Sequence, residues 1–201
     1  MSDTNHNVLT PRKIATIAIL ASVSAILFMV EIPIVLFYKL DVSNLPVLLG
    51  AFSMGPIEGM IILFIKSLLG LLHSSSQGVG ELADFLMGLA MLLPAALIYR
   101  RKKTRKGAII GMIVGIVAAT VVSVFVNLYI LIPFYGATYG MSEEKIVSMA
   151  QAVLPAVNNI WQFVLLITAP FNLFKWIVIS VITGLVYKPL SPVLHKQQKK
   201  K

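Results

Sequence analysis

Lys175 lies in Pro170-Phe-Asn-Leu-Phe-Lys175-Trp-Ile-Val-Ile-Ser, with Asn172 one turn before it and almost nothing polar for ten residues after it. A charge at bilayer depth costs at least about 2.5 kcal/mol, so it is kept where it is paired or used. An asparagine beside a lysine is a donor-rich pair suited to carbonyl oxygens or ring nitrogens. Thr168, Asn172 and Lys175 share one helical face at the i, i+4 and i+3 spacings. A second group, Lys66 with Glu81 and Asp84, places acid and base together, and Asp41 and Asn44 form a third. Such groups either satisfy one another as structural ion pairs or hold a polar ligand.

The elements that must position them are membrane helices. The chain has 201 residues, 58% hydrophobic and 12% charged, where a soluble domain carries about 25% charge. Several runs approach the roughly 20 apolar residues that span a bilayer. The expected fold is all-α: a single polytopic transmembrane domain over 1–201. Residues 14–30 read as a retained helix rather than a signal peptide. With no cysteine, disulfides and thiolate metal sites are excluded.

Thirteen of the 17 Lys and Arg residues fall in three places: Arg12 and Lys13, the run Arg100 to Lys106, and Lys188, Lys196, Lys199, Lys200 and Lys201. The positive-inside rule puts all three in the cytoplasm, which argues against nucleic acid as the partner of this net charge of +9. Helix 1, over about 14–30, then leaves residues 31–43 outside. Residues 44–72 start and finish outside, and Gly55-Pro56 splits them into helices at about 44–54 and 56–72. Helices at about 81–99 and 107–132, an external loop over 133–154 and a final helix over about 155–187, bent near Pro170, complete the count. Within that loop Ser142 reads as the N-cap of a short surface helix. The expectation is six helices with both termini cytoplasmic.

This topology gathers the polar groups in the outer half and leaves the inner halves apolar, as a cavity open only to the outside requires. Lys175 is 13 residues before Lys188, roughly 20 Å from the inner surface. Asn127 nears the outer end of helix 5. The external segment 33–41 is apolar and aromatic, either a lid over a flat ligand or a segment resting in the interface. Helix 1 carries Ala15, Ala18, Ser22 and Ala25 at helical spacing, with Ala21 and Ala25 as a small-xxx-small pair, a surface for another helix of this chain or for a second membrane protein. No phosphate-loop motif, zinc motif or nucleophile–base pair occurs, and His6, His73 and His195 sit in tails or loops. Enzymatic work is not expected, and any ATPase must come from other chains.

Residues 40–56 (LDVSNLPVLLGAFSMGP), 65–69 (IKSLL), 78–88 (GVGELADFLMG) and 169–175 (APFNLFK) together resemble the substrate-binding S component of energy-coupling factor vitamin transporters, most closely the riboflavin-specific type. The resemblance covers essentially the whole chain, and the Asn172–Lys175 motif is its most specific part. It implies high-affinity capture of riboflavin or a related flavin from outside a bacterial cell membrane, with no cofactor beyond that transported ligand. Asn172 and Lys175 are then expected to bond the isoalloxazine ring, with contacts from Asn127 and from Leu40 in the first loop, and Thr168 on the same face as the motif. Ala21 and Ala25, with Ala18 beside them, match the alanine motif that docks on a transmembrane coupling subunit, which two cytoplasmic ATPases drive. Ser22 departs from a regular alanine stripe. The alternative reading is a self-contained secondary transporter of a small polar or aromatic solute, with Lys66 and Asp84 as an ion relay; the apolar inner halves argue against its path.

Overall fold

The computed structural model describes residues 10–196, with side chains through Tyr187. His6 and Lys199 to Lys201 lie outside the described residues, as do the side chains of Lys188, His195 and Lys196. Among the described residues four helices are long and apolar enough to cross a membrane: Pro11–Met29, Val79–Arg101, Arg105–Tyr139 and Ile160–Tyr187. Their outward faces carry Ile19, Ile26, Ile113, Val117 and Val181, all exposed, an apolar exterior that a soluble monomer avoids.

Helix α1 (Pro11–Met29) opens with Thr10 accepting from the Lys13 amide and Pro11 in the first turn, where a missing N–H costs nothing. Its inward stripe is Ile17, Ala21 and Ser24. The chain then folds into strands β1 (Ile32–Val35) and β2 (Tyr38–Leu40), antiparallel, with Ile32 opposite Leu40 and Val35 opposite Tyr38. The all-α expectation is corrected here. Leu36 takes the turn at φ 52° with no glycine to announce it, although the β-branched and aromatic residues around it favour strand.

Helices α2 (Asn44–Ser53) and α3 (Pro56–Leu71) meet at Gly55 (φ 135°). At 1.5 Å per residue they reach only about 15 and 24 Å. Lys13 and Glu58 pair at 2.7 Å, tying the start of α1 to the α2–α3 turn.

Helix α4 (Val79–Arg101) packs along α5 (Arg105–Val126), which opens with Thr104 capping the Gly107 amide. Glycines recur every four residues on α5. A methyl group at Gly111 would stand 2.7 Å from the Ala95 carbonyl oxygen, and one at Gly115 2.5 Å from that of Met91. Only glycine lets the backbones approach so closely, which is how membrane helices gain packing energy.

Helix α5 does not stop near residue 132. It passes through a π-helical turn (Asn127–Leu131) into α6 (Ile132–Tyr139). The expected loop over 133–154 is therefore largely helical: after α6 comes α7 (Glu143–Gln151), capped by Ser142 as anticipated. The last rod starts at Ile160, capped by Asn159, rather than near 155. It runs through α8 (Ile160–Phe163), a second π turn (Val164–Thr168) and α9 (Ala169–Lys196).

Both π turns end two residues before a proline, Pro133 and Pro170. Proline lacks an N–H and crowds the carbonyl four residues back. The wider turn, with Ile132 N–H donating to Asn127 O and Ala169 N–H to Val164 O, accommodates that crowding. It also shifts the phase of the side chains that follow, a device common at functional sites.

A charged cavity at one end of the bundle

Asp41, immediately after β2, accepts from Lys175 Nζ at 2.7 Å through Oδ2, while its Oδ1 takes the Ser43 amide at 2.9 Å and the Ser43 hydroxyl. Lys175 reaches Asp84 on α4 as well, at 3.3 Å. Asp84 in turn holds Lys66 of α3 at 2.5 Å and Asn44 of α2 at 3.1 Å. Lys66 also donates to Ser43 Oγ at 2.8 Å and Asn44 Oδ1 at 3.1 Å, and stands 4.8 Å from the centre of the Phe28 ring. The cluster is buried throughout and contains two lysines and two aspartates, so it is neutral as a whole. Of the two readings open for Lys66, Glu81 and Asp84, an ion pair forms between Lys66 and Asp84. Lys175, whose partner the sequence left open, has two carboxylates.

A second, uncharged network stands beside it. Tyr38 Oη donates to Asn127 Oδ1 at 2.8 Å and lies 2.5 Å from Thr168 Oγ1, and Asn127 Nδ2 donates to the Ser123 carbonyl at 2.8 Å. The only consistent order is Thr168 to Tyr38 to Asn127, each hydroxyl giving one proton onward. The Tyr38 ring stacks between Phe163 (6.2 Å, 16°) and Phe171 (5.1 Å, 22°). Burial pushes the phenol pKa up, so this hydroxyl stays a donor at physiological pH. Asn127 opens one π turn and Thr168 closes the other, so Tyr38 pins the hairpin to both.

Between these networks lies a cavity of about 440 Å³, within the 300–1,000 Å³ usual for small-molecule sites. Phe28, Phe37, Tyr38, Tyr135 and Phe171 give it aromatic walls, and Lys175, Asn172, Asn127, Asp41 and Asp84 face it. The Asn172 amide donates to the Thr168 carbonyl at 3.0 Å, and its Oδ1 has no hydrogen bond among the described residues. Glu81 lines the cavity too, but accepts from Ser74 and Ser76 at 2.8 and 3.1 Å and so orders the 74–78 loop rather than joining Lys66.

Of the residues singled out from sequence, the fold brings Asn127, Asn172 and Lys175 together. Thr168 is buried behind Tyr38, and Leu40 is half-buried in β2; neither lines the cavity. Asn158 is exposed in the segment before α8. On α1, Ala18 is exposed, Ala25 half-buried and Ala21 only 1% exposed. Ala21 therefore packs against its own chain, and the small residues open to a partner are Ala15, Ala18 and Ser22. The aromatic wall was read only in part, from segment 33–41, because its other members, Phe28, Tyr135 and Phe171, come from three separate helices. The strand-like run before Asp41 was the one local signal of Tyr38's place.

The family described as ECF transporter, substrate-specific component, matches residues 12–187. The chain belongs to this family. It is thus a transport component rather than an enzyme, and a multi-pass membrane protein. The riboflavin transporter RibU of Staphylococcus aureus is 31% identical over 188 residues, covering 92% of this chain and 93% of that protein. The riboflavin transporter FmnP of Bacillus subtilis is 24% identical over 193 residues, covering 93% and 96%. A solved S component of a bacterial ECF transporter superposes with a TM-score of 0.71 at 32% identity, covering 91% of this chain and 97% of that one. The S-component cavity therefore sits on a fold shared over nearly the full length of its relatives.

Proposed function

We propose that this S component captures riboflavin or a related flavin from outside the cell and hands it to an ATP-driven import machine. The observation that carries the reading is the cavity itself: aromatic walls for a flat ring system, with Asn172, Lys175 and Asn127 offering polar atoms at its edge. Lys175 spends donors on Asp41 and Asp84 and can turn its remaining N–H to a ring carbonyl, while Asn172 Oδ1 accepts from a ring N–H. The named relatives are riboflavin transporters, which selects flavin among the flat carbonyl-bearing vitamins.

In this reading the chain crosses the membrane six times, α2 and α3 acting as two short crossings, with both termini and the basic α4–α5 loop in the cytoplasm. The hairpin covers the cavity from outside. Leu40 and Thr168 serve the site indirectly, Leu40 through the hairpin and Thr168 by holding Tyr38. The exposed Ala18 face of α1 docks on a transmembrane coupling subunit, and two cytoplasmic ATPases supply the energy. The test is titration of the purified chain with riboflavin, thiamine, biotin and folate. Saturable quenching of riboflavin fluorescence without competition from the others is expected. A colourless protein that quenches no added riboflavin would sink the proposal.

A further inference from the structure

At the end of the bundle opposite the charged cavity lies a second cavity of about 470 Å³, lined by Tyr99, Thr104, Arg105, Ala108, Ile109, Met112, Gly184 and Tyr187. Its walls come from the end of α4, the start of α5 and the later part of α9. Gly184 of α9 has nothing within 4 Å of where a side chain would begin. The groove has two characters. Ala108, Ile109 and Met112 form an apolar wall that continues into the exposed Ile113 further along α5. Tyr99 and Tyr187, half-buried with their hydroxyls 3.1 Å apart, supply polar atoms, and Thr104 and Arg105 are exposed at the start of α5. Among the described residues, none of the six cations from Arg100 to Lys106 forms an ion pair with a carboxylate; the pairs that do form are made by Lys13, Lys39, Lys66 and Lys175.

We infer that this groove holds an anionic phospholipid, its phosphate at Arg105 and the hydroxyls and one acyl chain along Ile109, Met112 and Gly184. Charge complementarity selects the headgroup, since basic pockets between membrane helices take anionic lipids. The apolar wall selects a lipid over a free phosphate, which has no use for it. Arginine meets a phosphate through two parallel donors, a geometry lysine lacks. The remaining loop cations, outside the groove, add only diffuse attraction.

The full chain in a neutral detergent is titrated with phosphatidylglycerol, phosphatidylcholine or inorganic phosphate, with bound lipid read by native mass spectrometry. Phosphatidylglycerol is expected to bind at one saturable site and to raise the unfolding temperature. Arg105→Gln should weaken it about fivefold. Lys103→Gln, an equal change of charge outside the groove, removes only diffuse attraction and should weaken that site by less than about twofold. Gly184→Leu fills the groove without changing charge and should abolish the bound lipid. Flavin binding, measured on the same samples, keeps folding failure distinguishable from loss of the site. Equal losses in Arg105→Gln and Lys103→Gln, retention of lipid by a folded Gly184→Leu, equal binding of phosphatidylcholine, or saturation by phosphate alone would each overturn the assignment.

Discussion

At one end of the bundle Lys66, Lys175, Asp41 and Asp84 are buried and matched charge for charge. At the other, the cations from Arg100 to Lys106 have no carboxylate against them among the described residues. The difference follows from the medium. Removing a charge from water costs several kcal/mol per ion, so a buried one survives only in a closed set of partners. A cation at the headgroup level keeps its hydration and meets anionic lipid, so its lack of a protein partner costs little. The buried set is therefore held by mutual dependence, and each exposed cation is dispensable to the fold.

The strongest way to break this contrast is Asp84→Ala. It leaves two buried lysines facing one carboxylate and is expected to cost about 3–5 kcal/mol, read as thermal unfolding in detergent. Adding Lys66→Met, which removes the stranded charge, should recover a substantial part. A mild single variant with no recovery in the double would mean that the cluster is not a closed unit. Next comes Lys175→Met, expected to lower flavin affinity by about 10- to 100-fold, as for a lost hydrogen bond to a charged group, with some instability because Asp41 loses its partner. Asn172→Ala separates the two effects. Its amide bonds only a helix carbonyl, so affinity should fall about fivefold with little change in unfolding temperature. Equal losses of stability and affinity there would assign Asn172 to packing.

Tyr38→Phe keeps the stacking between Phe163 and Phe171 but strands Thr168 and Asn127, at about 1–2 kcal/mol. Faster hydrogen exchange in the 32–40 hairpin is the expected readout, and unchanged exchange would deny that Tyr38 fastens it. At the far end, Arg100→Gln should shift stability by no more than about 0.5 kcal/mol. A large loss would show that the exposed cations are as interdependent as the buried ones.

Much of the charged cluster was legible because an ionisable residue in an apolar run stands out one residue at a time. Lys66 with Asp84 could be paired from their places near the same helix ends. The Asp41–Lys175 contact could not, because 134 residues separate them and several carboxylates were candidates. Ala21 looked like part of a docking stripe because spacing alone does not say which neighbour a small residue meets; its burial shows the neighbour to be its own chain. The helical continuation to Tyr139 was hidden because proline ordinarily interrupts a helix, whereas a π turn before Pro133 lets the rod continue. The glycines at 107, 111 and 115 were a signal in plain view for the close α4–α5 contact.

Hydropathy and the placement of charge are properties of single residues and short windows. By itself, then, the sequence determined a multi-pass membrane protein with polar chemistry collected at one end and basic loops at the other. Only the tertiary structure decided which lysine meets which aspartate, which faces the two π turns present, and that Tyr38 reaches between them. These depend on helix phase and on contacts between distant segments, where one extra residue in a turn rotates everything beyond it.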